Sequence, residues 1–191
     1  MPETALKLPN NLANKTLQQY DRIIAGCKDI YMKKIKDYGT SWRMLRPRSL
    51  TDQIFIKAKR ILNIEEMASQ KIEEGIDSEL MGIINYSLIA LIQLELKDYV
   101  DLELSEAESE RLYDEQVEKT RSLMQQKNHD YGEALRYMRV NSLTDIILSK
   151  IMRIKHIEDN AGATHVSEGV EGNYFDMLNY SVFALIHLEN C

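Results

Sequence analysis

Leu17, Ile24, Cys27, Tyr31 and Ile35 recur at intervals of three, four and seven residues, which predicts an amphipathic helix over residues 14–36. Gly39 follows where a helix-ending glycine belongs. A loop over 40–48 carries Trp42, Arg43, Arg46 and Pro47. Ser49 then stands as the expected N-cap of a second helix running to about Glu73, with Asp52 adding a carboxylate to its first turn. The third helix, over 77–98, is apolar nearly all round between Leu80 and Leu96, and a helix without a polar face has to be enclosed. No stretch alternates with period two for any length, so strands are not expected.

The pattern then starts again. Lys34-x-x-Asp37-Tyr38-Gly39 returns as Lys127-x-x-Asp130-Tyr131-Gly132, and Ser49-Leu50-Thr51-Asp52 as Ser142-Leu143-Thr144-Asp145. Lys57-x-x-Arg60-Ile61 returns as Lys150-x-x-Arg153-Ile154, and Glu65 as Glu158, always 93 residues on. After one inserted residue, Asn85-Tyr86-Ser87 returns as Asn179-Tyr180-Ser181. Residues 28–66 share 16 of 39 positions with 121–159, and 75–95 share 9 of 21 with 169–189, far more than chance provides. Helices are therefore expected again near 105–129, 142–160 and 171–189, the last also apolar on most sides. The predicted architecture is all-α: a six-helix bundle of two tandem three-helix repeats with internal pseudo-two-fold symmetry. Its parts are a first repeat (1–98), an acidic linker and helix start (99–115) and a second repeat (116–191), packed as one globular unit.

Composition narrows the partners. Acidic residues outnumber basic ones 30 to 24 for a net charge of -6, so strong binding to nucleic acid is not expected. Only 8 glycines and 3 prolines are present, too few for the turns of a β-sandwich. Cys27 and Cys191 make neither a disulfide framework nor a metal motif. The first residues lack the basic-then-apolar order of a signal peptide, and no run of 18 apolar residues occurs. No membrane partner and a cytoplasmic location are the expectation.

Polar residues kept in both copies are the candidates for chemistry. Lys57 and Arg60 share a helix face, as do Lys150 and Arg153, and this is either a solvated stripe or a phosphate site. Arg46 and Arg139, in the preceding loops, stand ready to join them. Asp176 and Asn179 lie inside the enclosed last helix, where a carboxylate is costly unless it meets Lys150, Arg153, a metal or a substrate. His187 reads as a core histidine, and His129, His156 and His165 lack zinc-ligand spacing. Trp42 with Tyr38, and Tyr131 with Tyr137, either stack a base or simply pack.

Lys-x-x-Asp-Tyr-Gly, Ser-Leu-x-Asp-x-x-x-x-Lys-x-x-Arg and Asp176-x-x-Asn179-Tyr180 together resemble the nucleotide modification associated domain of the first type, once per repeat. Its helical layout is in turn similar to MazG-like all-α nucleoside triphosphate pyrophosphohydrolases, where Glu-x-x-Glu and Glu-x-x-Asp on successive helices hold magnesium. At the second pair this chain reads Glu79-x-x-Gly82 and Asn173-x-x-Asp176, and at the first pair Lys57-x-x-Arg60 and Lys150-x-x-Arg153. The resemblance implies a protein that binds a nucleotide or other phosphate-bearing small molecule, as a metal-dependent pyrophosphohydrolase or as a non-catalytic binding or interaction module. In the enzyme reading Asp176, Glu171 and Glu158 hold magnesium, with Asp176 and Glu171 catalytic. Lys57, Arg60, Arg46, Lys150, Arg153, Arg139, Asp130, Tyr131 and Asn179 then contact the substrate. Related helical hydrolases generally assemble, so a homo-oligomer is implied as well.

Overall fold

Six α-helices and two 3₁₀ turns make up the computed structural model, which describes residues 10–67, 75–97, 99–164 and 169–189. The helices are α1 (Asn10–Tyr38), α2 (Pro47–Glu66), α3 (Ile76–Glu95), α4 (Glu106–Tyr131), α5 (Val140–Asp159) and α6 (Val170–Leu188). The 3₁₀ turns, Ser41–Met44 and Ala134–Tyr137, follow α1 and α4. The described residues contain no strand. The expected helix end at Glu73, and Asp98, His165 and Cys191, lie outside the described residues.

Local chemistry sets the boundaries. Gly39 (φ 61°) and Gly132 (φ 58°) adopt the left-handed conformation that ends α1 and α4 and turns the chain into the 3₁₀ segment. The second helix of each copy starts earlier than its serine suggests. Arg46 is the extended N-cap and Pro47 takes the first helical position, where its fixed φ and missing N–H cost nothing. Ser49 therefore sits inside the first turn, and in the second copy Arg139 is likewise the N-cap ahead of Val140. The acidic connection after α3 ends where the Ser105 hydroxyl accepts from the Glu108 N–H at 3.1 Å, capping α4.

The two apolar helices enclose each other. α3 and α6 share the most extensive contact, followed by α5 with α6 and α2 with α3. Leu80, Ile83, Ile84 and Leu88 of α3, with Tyr174, Met177, Leu178 and Val182 of α6, are fully buried. α2 packs on α5, while α1 and α4 touch each other and the central pair. Exchanging α1, α2 and α3 for α4, α5 and α6 leaves this set of pairings unchanged, as a duplicated unit folded against its own copy requires.

Side-chain ties obey the same exchange. The Tyr20 hydroxyl donates to Asn179 Oδ1 at 3.1 Å, and the Tyr113 hydroxyl to Asn85 Oδ1 at 2.9 Å. The amide nitrogens of the two asparagines donate to the backbone carbonyls of Cys27 (3.1 Å, from Asn85) and Thr120 (3.4 Å, from Asn179). Between α2 and α5, Thr51 Oγ1 donates to Glu158 Oε1 and Thr144 Oγ1 to Glu65 Oε1, each at 3.0 Å. Thr51 has a further partner in the Tyr174 hydroxyl at 2.7 Å, where the first copy carries Leu80. These bonds satisfy polar groups that would otherwise be stranded in the core.

The glutamates of the α2–α5 seam make stability pH-dependent. Burial pushes both carboxyl groups above the ordinary glutamate range, helped by neighbouring acids and opposed by the threonine hydroxyls. A carboxyl with a higher pKa in the folded than in the unfolded chain weakens the fold as pH rises from about 4.3 through that raised value. A Glu65→Gln/Glu158→Gln double variant escapes this loss. Its melting temperature, relative to the unmodified chain, should therefore climb as pH rises above about 4.3. A difference that stays flat with pH would contradict the assignment.

Candidate functional site

α1, the first 3₁₀ turn, α2 and α3 surround a cavity of about 550 Å³, a size usual for small-molecule sites. Lys34 and Tyr38 reach it from successive turns of α1, Gln53 and Lys57 from α2, and Asn85 and Tyr86 from α3. Trp42, buried in the 3₁₀ turn, contributes to the wall, and Tyr38 is largely exposed. On α3 one turn before Asn85 stands Gly82, which leaves the helix bare. A Cβ there would lie 2.5 Å from Lys57 Cε, so the lysine lies across the exposed backbone.

The charges around this cavity are unequal. Lys57 Nζ is 3.3 Å from Glu79 Oε2, while Arg60 binds the other oxygen of the same buried carboxylate. Glu79 is thus shared by two cations, and Lys34 adds a third positive charge against the exposed Asp77 at the rim. The balance favours an anionic guest.

The second copy builds the same place differently. Met124, Lys127, Tyr131, Leu135, Asp176, Asn179 and Tyr180 line a cavity of about 190 Å³, and they occupy the repeat positions of Tyr31, Lys34, Tyr38, Trp42, Gly82, Asn85 and Tyr86. Asp176, 5% exposed, holds Lys127 Nζ on one oxygen and Lys150 Nζ on the other, each at 2.5 Å. Each copy therefore keeps one buried acid on its third helix, at repeat positions one turn apart: Glu79 beside Lys57 and Arg60, Asp176 between Lys127 and Lys150. The side chain at 176 stands at the repeat position of Gly82, over which the end of Lys57 lies in the first copy.

The structure gathers some of the sequence-derived site residues and separates others. Lys57 with Arg60 meets Glu79, and Lys150 meets Asp176. The second partner of Asp176 is Lys127, whereas Arg153 is exposed on α5. The reason is reach: Lys127 comes in from α4, an element that spacing along α5 and α6 does not reveal. Its signal was the first position of the repeated Lys-x-x-Asp-Tyr-Gly motif, which also marks Lys34. Asn179 lines the smaller cavity, but both ends of its amide are engaged by Tyr20 and Thr120. Tyr131 stands two-thirds exposed at that cavity, Asp130 is exposed beside His129, and Arg46 and Arg139 are exposed at the starts of α2 and α5.

The carboxylates named for magnesium are not brought together. Asp176 is spent on two ammonium groups, Glu158 accepts from Thr51 in the α2–α5 seam, and Glu171 is exposed in the first turn of α6. Among the described residues no group of three His, Cys, Asp or Glu side chains is placed to hold a metal ion. Asp176, Glu171 and Glu158 therefore do not fit a magnesium centre, because lysines already occupy the coordinating oxygens of the one buried acid among them. No helix among the described residues is long and apolar enough to cross a membrane.

The family described as nucleotide modification associated domain 1 matches residues 34–94 and 127–188, one stretch in each copy and together more than half of the chain. Both stretches begin at the lysine of the repeated motif and contain the cavity-lining residues of α3 and α6. No curated protein and no solved structure matches the chain.

Proposed function

Because the chain belongs to the nucleotide modification associated domain 1 family, we propose that it binds a nucleotide or similar phosphate-bearing small molecule in the cavity that α1, α2 and α3 surround in its first copy. The observation that carries this reading is that Lys34 and Lys57 line one cavity of about 550 Å³, with Lys57 lying over the bare helix at Gly82. Lys34 and Lys57 meet phosphate oxygens as mobile point charges. Tyr38 and Tyr86 offer faces for a base or sugar. The finer reading, magnesium-dependent hydrolysis of a nucleoside triphosphate, draws on the MazG-like layout. The acids it names stand apart, so binding is the function proposed.

Thermal melts across nucleoside mono-, di- and triphosphates, with and without magnesium, test it alongside chromatography for released pyrophosphate. Stabilisation that needs no metal is expected. Lys34→Ala and Lys57→Ala should each weaken binding about tenfold, as loss of one charge-assisted contact does. Silence from every nucleotide would remove the proposal. Stabilisation only with magnesium, accompanied by pyrophosphate, would replace it with the enzyme.

A further inference from the structure

The two cavities are related residue by residue, yet they differ at one position in a way that carries chemical information. In the second copy a buried carboxylate lies between two ammonium groups, Lys127 and Lys150. In the first copy the same two lysines are present as Lys34 and Lys57, the carboxylate is replaced by Gly82, and the cavity is almost three times larger. Among the described residues Lys34 has no ion pair, and the contact of Lys57 with Glu79 is a long one at 3.3 Å.

We infer that Asp176 stands where a ligand's acidic group goes: the second copy is closed by its own carboxylate. The first copy takes a phosphate or carboxylate group at the equivalent point, over Gly82 and between Lys34 and Lys57. One ligand binds per chain. This rests on the cavity reading proposed above and adds to it the position of the anionic group, the stoichiometry and the reason the second cavity is shut. The physical argument is that two lysines brought to one point repel unless an anion sits between them. The fold supplies that anion internally in the second copy; in the first, Lys34 and Lys57 line one cavity with no carboxylate at the equivalent position. Glu79 meets part of the demand in the first copy from one turn away, sharing its charge with Arg60. Lys57 can swing from Glu79 toward a guest because its contacts at Gly82 involve only the far end of a flexible chain.

Chemical rescue tests this on the full chain. Asp176→Ala vacates the acid's place, and inorganic phosphate or acetate, added at ionic strength matched with chloride, refills it. Its Tm should rise by roughly 2–4 °C more than that of the unmodified chain. A larger response to phosphate than to acetate assigns the ligand's group as phosphate, and the reverse order assigns a carboxylate. Gly82→Asp is the converse experiment and also serves if Asp176→Ala does not fold. It should raise Tm without any additive and abolish the phosphate response of the first cavity. It should also lower nucleotide affinity at least about tenfold. An Asp176→Ala chain no more responsive than the unmodified one, or a Gly82→Asp chain that binds phosphate as before, overturns the inference. Rescue by phosphate in a chain that ignores every nucleotide would sink the nucleotide reading and leave this one standing. Nucleotide binding at two sites per chain, or binding untouched by Gly82→Asp, would do the opposite.

Discussion

Asp176→Ala should cost about 2–4 kcal/mol of folding stability, measured by urea denaturation, although alanine is the better helix former. The substitution removes the carboxylate shared by Lys150, whose side chain is 13% exposed, and Lys127, whose side chain is 32% exposed, and leaves two like charges beside a vacated space. Breaking a buried pair costs roughly 3–5 kcal/mol, and the cost here is about 1 kcal/mol lower because Lys127 can turn its ammonium to water. The same principle predicts recovery. An Asp176→Leu/Lys150→Met variant removes both buried charges and should regain most of the loss, since matched apolar replacement of an ion pair is often nearly neutral. A single substitution costing less than about 1 kcal/mol would place the triad at the solvated surface instead.

The other large effect lies in the helix pair that joins the copies. Phe183 of α6 is 1% exposed, and Ile89 of α3 holds the repeat-equivalent position in the first copy. Phe183→Ala should cost about 3–5 kcal/mol through lost burial and the cavity it leaves, lowering Tm by roughly 6–20 °C. The more informative readout is where the loss is seen. The single tryptophan, Trp42, is in the first copy, and Phe183 is in the second. Because α3 and α6 form one shared core, Trp42 fluorescence and far-ultraviolet circular dichroism should move to the lower midpoint together. A Trp42 transition that stays put would mean that the two copies melt as separate units.

Much of this arrangement was legible in the chain because repeats expose it twice. The helical period of Leu17 to Ile35, the all-round apolarity of the third helices and the glycines after Tyr38 and Tyr131 each appear at matching positions. Helix starts were less legible: Ser49 and Ser142 have the right chemistry for N-caps, but the chain enters the helix at Pro47 and Val140, before them. Spacing along one helix paired Lys57 with Arg60 and Lys150 with Arg153. It does not report that Lys34 and Lys127 arrive from α1 and α4, or that Arg153 turns to solvent. Asn179 looked like a ligand contact because a polar side chain in an apolar helix asks for an explanation. The explanation is Tyr20, 159 residues away.

The order of residues alone determined the duplication, the helical class and the enclosure of α3 and α6, since periodicity and hydrophobicity are local properties that each segment carries with it. Only the folded arrangement decided which charges meet. That Asp176 answers Lys127 and Lys150, while Lys57 lies over Gly82 and meets Glu79, depends on distances between helices, and side chains separated by tens of residues acquire those distances only when the bundle closes.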